Sequence, residues 1–220
     1  MSNAQAEFWS IVAPKYDRVV DLQIGPLMRS MVRQRVAQET RLGHVAEFGC
    51  GTGFYTQMLA GKAETLVATD ISPGMLEIAR RCVEAPNVTF QLEDCQRTSL
   101  SSDSLDTAFI SLVLHFTEPE RTLAEMRRIL KPGGLLIVAN LDPQALTGFD
   151  RLRCVARIAY RGILGYRVKP PKRFGRNTLT EQRLRELLER SGFQVVSSQR
   201  LSDPSRSSNI PVEYVRAVKS

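Results

Sequence analysis

The stretch EFGCGTG, residues 47–53, decides how this chain is read. Gly49, Gly51 and Gly53 alternate with other residues, Glu47 stands two places ahead of the first, and the run HVAEFG (44–49) leads in as a strand. A glycine loop between a first strand and a first helix lets bare backbone approach a ligand at the carboxyl edge of a sheet.

Working outward, strand-like and helix-like segments alternate. FYTQMLAG (54–61) reads as the first helix and TLVATD (65–70) as the second strand. Ser72 and Pro73 open a helix running to about Glu84, with serine at the cap and proline at the first position. VTFQLED (88–94) and LDTAFISLVLH (105–115) are the third and fourth strands. A helix over 118–130 is expected to stop at Lys131-Pro132-Gly133-Gly134, before a fifth strand at LLIVANL (135–141). Thr180 caps a later helix carrying Leu184, Leu187 and Leu188. FQVVSSQRL (193–201) and PVEYVRAVK (211–219) then form a hairpin. This is the α/β pattern: a seven-stranded, mostly parallel sheet with one antiparallel strand and helices on both faces. Residues 5–40 read as helical and separate from the sheet.

The loop discriminates among ligands. A triphosphate loop needs GxxxxGK[ST], and no suitable lysine follows Gly53. A dinucleotide fingerprint needs a third glycine at 54 or 56, where Phe54 and Thr56 stand, and Glu47 would repel a pyrophosphate. A carboxylate there suits a cofactor carrying an ammonium group. Asp70 ends the second strand, where an acid accepts from both hydroxyls of a ribose. Asp94, near the end of the third strand, can accept from an exocyclic adenine amine, and Ile71 and Met75 are placed to flank the base. Taken singly, Asp70 and Asp94 also fit turn or cap roles, and Met75 fits the core. Their occurrence at successive strand ends favours a nucleoside site.

These residues resemble class I S-adenosylmethionine-dependent methyltransferases, a Rossmann-like fold. The likeness runs through EFGCGTG, LVATDISPGMLEIAR, QLEDCQRTSL, LDTAFISLVLHF and EMRRILKPGGLLIVAN, and resumes at TLTEQRLRELLERSGFQVV. The resemblance implies S-adenosyl-L-methionine as cofactor, S-adenosyl-L-homocysteine as product, and no metal. It implies that the backbone of Gly49, Cys50 and Gly51 faces the methionine part, that Asp94 and Cys95 face the adenine, and that Ser111 and Leu112 close over the sulfonium. WSIVAPKYDRVVD (9–21) is similar to a segment preceding the domain in quinone-biosynthesis C-methyltransferases and some phospholipid N-methyltransferases. That likeness implies a helical cap over the active site at residues 1–40, with Tyr16 over the cofactor, and a methyltransferase domain at 41–220.

The acceptor is less legible. Since a sulfonium methyl is already activated, the enzyme mainly aligns an acceptor in a dry pocket, and a base is needed only where the acceptor must lose a proton. His115 stands at the right edge for a general base, with a structural or shaping role as its alternative. The [D/N]PP[Y/F] motif of nucleic-acid amino-methyltransferases is absent after the fourth strand, so nucleic acid is not the expected partner. The net charge of +7 sits in one segment: residues 141–180 hold nine Lys or Arg against Asp142 and Asp150. On a helical reading, Phe149, Leu152, Ala156, Ala159 and Ile163 share a face, with Arg151, Arg153, Arg157 and Arg161 on others. This basic amphipathic insertion (about 142–177) fits a lid, a contact with an anionic membrane through 148–176, or an attraction for an anionic soluble partner.

The chain is therefore expected to methylate a small molecule, hydrophobic or amphiphilic, such as a quinone precursor or lipid. The alternatives are a soluble amine, phenol or thiol as acceptor, or a non-catalytic S-adenosylmethionine-binding protein. Widely spaced cysteines without a CxxC pair, no apolar run of the roughly 18–20 residues that span a bilayer, and no signal-like N-terminus point to a cytoplasmic protein, in one version peripheral to the membrane.

Overall fold

In the central strands successive residues face opposite layers of core, and this period of two builds the fold. The computed structural model describes residues 3–24, 26–165, 177–203 and 209–220, with side chains described over 3–21, 27–156, 177–203 and 209–220. Among them, seven strands make one sheet: β1 (Gly43–Phe48), β2 (Ala63–Asp70), β3 (Val88–Leu92), β4 (Leu105–Ser111), β5 (Leu130–Leu141), β6 (Phe193–Leu201) and β7 (Val212–Lys219). Their order is β3-β2-β1-β4-β5-β7-β6. β7 runs antiparallel to β5 and β6, and the other pairings are parallel. The chain leaves β1 toward one edge and returns to build β4 and β5 on the other side. The crevice at the carboxyl ends of β1 and β4 is thus the switch point where such sheets bind ligands.

The helices are α1 (Asn3–Val12), α2 (Tyr16–Ile24), α3 (Pro26–Ala37), α4 (Thr56–Ala60), α5 (Pro73–Cys82), α6 (Pro119–Ile129), α7 (Gly148–Gly165) and α8 (Glu181–Arg190). On one face Ala46, Phe48, Ala108, Ile110, Leu136 and Val138 pack with Leu123, Met126 and Ile129 of α6 and Leu184 and Leu188 of α8. On the other, Val45, Phe109, Ile137 and Ala139 meet Met28, Val32 and Val36 of α3 and Leu59 of α4.

Two sequence expectations are corrected. Residues 5–40 are not one helical body apart from the sheet. α3 places Met28, Val32 and Val36, one helical turn apart, fully inside the second core layer. Only α1 and α2 remain on the cleft side. Nor does Lys131-Pro132-Gly133-Gly134 lie between helix and strand. β5 already begins at Leu130, and the four residues form a bulge between the pairs Leu105–Leu130 and Thr107–Leu135, with Gly133 at φ +74°. Asp106, opposite the bulge, accepts from Lys131 Nζ at 2.6 Å and from the backbone N–H of His44 at 2.8 Å. His44 therefore belongs to the far, structural end of the sheet.

α5 starts as its sequence demands. Ser72 is extended, its Oγ accepts from the Met75 N–H at 3.2 Å, and Pro73 follows. α1 is seated on this start: Ser10 Oγ lies 2.8 Å from Ser72 Oγ, and a Cβ on Gly74 would stand 3.0 Å from Ser10 Cα. Among the described residues no helix is long and apolar enough to cross a membrane.

If α3 is core, Met28→Ala should destabilise the protein by about 2–5 kcal/mol, the range for emptying a buried long side chain. A urea midpoint unchanged from the parent would return α3 to the status of a detached cap.

Candidate functional site

The glycine loop is held in a conformation that only glycine adopts cheaply. Gly49, Gly51 and Gly53 have φ of +68°, +55° and +87°. A Cβ on Gly49 would lie 2.3 Å from Val113 Cγ2, and one on Gly53 2.7 Å from Val83 Cγ2. The loop is pinned from two sides. Asp70 Oδ2 accepts from the Gly51 N–H at 2.9 Å while its Oδ1 accepts from the Ser72 N–H, also at 2.9 Å. Thr52 donates to Asp17 of α2 at 2.9 Å, and Asp17 also takes the Arg29 guanidinium of α3 at 2.6 Å. Arg29 in turn lies 3.8 Å over the Phe54 ring.

These elements frame a cleft lined by Trp9, Tyr16, Gly49, Gly51, Asp70, Ile71, Met75, Glu93, Cys95, Leu112, Val113 and Phe116. Eight of the residues anticipated from sequence are on that wall: Tyr16, Gly49, Gly51, Asp70, Ile71, Met75, Cys95 and Leu112. Glu47, Cys50, Gly53, Asp94, Ser111 and His115 are not. Asp94 Oδ1 is turned back onto the Gln96 N–H at 2.9 Å, and its neighbour Glu93 is on the cleft wall with its carboxylate accepting from the Ser99 N–H at 3.2 Å. Ser111 is buried, its Oγ near the Tyr55 hydroxyl but without hydrogen-bond geometry to it. His115 is buried behind Phe116, with ring centroids 3.8 Å apart, and its Nδ1 has no partner among the described residues.

Sequence reading missed Trp9, Glu93, Val113 and Phe116. The aromatics form one group: Trp9 meets Tyr16 edge-on at 5.8 Å and Phe116 at 5.1 Å. Both lie within segments already singled out, WSIVAPKYD and LVLHF, so aromatic content was the available signal. Leu112 carries φ +59°, a strained value for a leucine that no sequence pattern announced.

Electrostatically the site is acidic and dry. Glu47 is 1% exposed, and burial pushes its carboxyl up to about 8 although Thr56 Oγ1 donates to it at 2.6 Å. Burial likewise lifts Asp70 to about 6, with the Ser72 and Gly51 N–H groups pulling the other way. Burial drives His115 down to about 4, so its imidazole is neutral at physiological pH. A buried carboxyl without a cation among the described residues holds its proton more tightly, and a cation brought beside it favours the ionised form. The ammonium and sulfonium of S-adenosylmethionine supply positive charge at this end, and the glycine cradle leaves room for backbone contact. The residues therefore fit that cofactor. Among the described residues no group of three or more His, Cys, Asp or Glu gathers as a metal site would.

Residues 46–138 match the family described as a methyltransferase domain. A demethylmenaquinone methyltransferase of Paenarthrobacter aurescens is 34% identical over 140 residues, covering 62% of this chain and 54% of that protein. A malonyl-[acyl-carrier protein] O-methyltransferase of Serratia marcescens is 29% identical over 146 residues, covering 65% and 54%. The chain thus spans about half the length of these curated relatives. The crystal structure of magnesium protoporphyrin IX methyltransferase from Synechocystis PCC 6803, with bound SAH, has the same fold, with TM-score 0.71 over 98% of each chain at 19% identity.

Glu47 sets a pH dependence. Its folded pKa is raised from 4.5 to about 8, so the folded state holds a proton that the unfolded state releases. The stability this gives is complete below 4.5 and is lost as pH rises through 8. Glu47→Gln keeps an acceptor for Thr56 without titrating. The parent's melting temperature should therefore fall relative to this variant between pH 6 and 9. Parallel curves would mean that Glu47 is ionised throughout.

Proposed function

We propose, starting from the match of residues 46–138 to the methyltransferase domain family, that the protein transfers a methyl group from S-adenosylmethionine to a neutral, hydrophobic or amphiphilic small molecule. The carrying observation is the make-up of the cleft: Asp70 and the glycine-loop backbone share its wall with Trp9, Tyr16, Leu112, Val113 and Phe116.

Bound in the cleft, S-adenosylmethionine supplies a methyl group already activated by the sulfonium charge, so no step requires a metal. Asp70 would hold the ribose hydroxyls with the lone pairs left after Gly51 and Ser72 are satisfied. Ile71 and Met75 would flank the adenine, with Cys95 at its edge and Asp94 reaching it only by turning away from Gln96. Glu47, two residues before Gly49, would answer the ammonium, and Ser111 would back Leu112 near the sulfonium. The aromatic side chains of the wall would exclude water and orient the acceptor. We read α1 and α2 as the cap, with Tyr16 closing on Gly51, where a Cβ would meet its ring at 3.3 Å.

Among the described lining residues there is no lysine or arginine. That absence of cations favours a quinone-like or lipid acceptor over an anionic one. We place the reaction in the cytoplasm, at the membrane surface, with the basic segment as the point of contact. His115 acts here through Phe116, since an imidazole held near 4 is a poor base at neutral pH.

Asp70→Ala should weaken S-adenosylmethionine binding at least about tenfold, the loss of charged hydrogen bonds worth about 1.5–3 kcal/mol; equal affinity by calorimetry would unseat the ribose assignment. With methyl-labelled S-adenosylmethionine and cell extract, label should move enzyme-dependently into the organic phase. Label confined to aqueous small molecules would mean a soluble amine, phenol or thiol, and binding without any transfer would favour a non-catalytic protein. His115→Leu should raise the acceptor KM while leaving the pH profile of kcat unchanged. Loss of an ionisation from that profile would make His115 the base.

A further inference from the structure

The sequence of the amphipathic helix α7 leaves a lid, a membrane contact and an attraction for an anionic partner open. A lid would turn Phe149, Leu152 and their companions down onto the protein. Instead Phe149 is 71% exposed, Leu152 62% and Val155 57%. Their spacing of three residues keeps them on one face of the helix. The residue that goes down is Cys154, 3% exposed, packed with Leu146 and Ile210. Cys154 is two positions from Leu152, and so on the opposite face. Arg151 and Arg153, one position either side of Leu152, flank the apolar stripe and are both exposed. Arg153 also lies 5.8 Å from the Phe149 ring centre.

We propose that this outward face of α7 is a docking surface for an anionic lipid bilayer. An apolar stripe edged by arginines is the arrangement by which a helix lies in the headgroup region, with hydrocarbon below and cations level with the phosphates. The sequence of 141–180 carries the whole positive excess of the chain, which complements such a surface. A second copy of the chain is disfavoured, because it would set like charges against each other. An acidic soluble protein would answer the arginines and leave the stripe in water. α7 packs against α2, whose first residue, Tyr16, lines the cleft. The docked face thus adjoins the cap. The inference rests on the reading of a lipophilic acceptor for its purpose: such an acceptor would reach the cleft from the bilayer beside α2.

The test is co-sedimentation of the full chain with vesicles of phosphatidylcholine, and with vesicles holding about one quarter phosphatidylglycerol. The anionic vesicles should bind it at least about tenfold better than the neutral ones. Phe149→Ser with Leu152→Ser, and separately Arg151→Gln with Arg153→Gln, should each reduce binding by about tenfold or more. Both pairs are exposed and outside the cleft, so melting temperature and S-adenosylmethionine affinity should stay at parental values. Failure to pellet, equal pelleting of the variants, or capture by an acidic carrier protein in place of vesicles overturns the proposal. So does a dimer, seen by ultracentrifugation without lipid, that the serine pair dissolves. Vesicle binding requires neither acceptor nor turnover. Label in the organic phase without vesicle binding would therefore sink the docking surface alone, and vesicle binding with label only in water would sink the acceptor reading alone.

Discussion

One carboxylate holds the functional end of this molecule together. Asp70 ends β2 and gives each of its oxygens to a different backbone N–H, Gly51 in the first loop and Ser72 at the start of α5. Both bonds offset the burial that lifts its pKa to about 6, and both fix backbone that would otherwise be free. The left-handed glycines can be left unsupported by side chains of their own because Asp70 and Asp17 supply the support from outside. Floor, glycine cradle and helix cap are consequently one unit.

The charges around that unit divide into two kinds. Arg29 is buried, but Asp17 and Asp21 answer it at 2.6 and 3.1 Å, so its charge is spent on fastening α2 to α3. Glu47 and Asp70 are buried with hydrogen bonds but no cation among the described residues. The first kind is structural. In the second, burial raises both carboxyl pKa values, and these are the groups that the proposed cationic nucleoside would meet.

Most of the sheet was legible, because period-two alternation and terminal acids are local signals. The same locality explains what was missed. α3 carries its core signature at Met28, Val32 and Val36, but a pattern of that kind says which face is apolar and not what it is buried against. The identical ambiguity left the orientation of α7 open, and in the structure Phe149 and Leu152 face solvent. Lys131-Pro132-Gly133-Gly134 spells a stop, and the chain uses it as a bulge because β4 offers Asp106 and a register to join. In the site, Glu93 reaches the wall where Asp94 does not, although both carboxylates are engaged by near neighbours, Ser99 and Gln96. Leu112 is held in strain by its bond to Ala139 across the sheet (Leu112 N to Ala139 O, 2.8 Å), a tertiary fact with no local trace.

The seat of α1 on α5 carries a last consequence. The two helices meet where Gly74 carries no side chain, and a Cβ there would already press on the Ser10 backbone. Trp9 is the next residue along, and it is a wall of the cleft. Added volume at position 74 would therefore act as a shim: it would bear on the turn of α1 that carries Trp9 from behind the wall, without touching anything that enters the cleft.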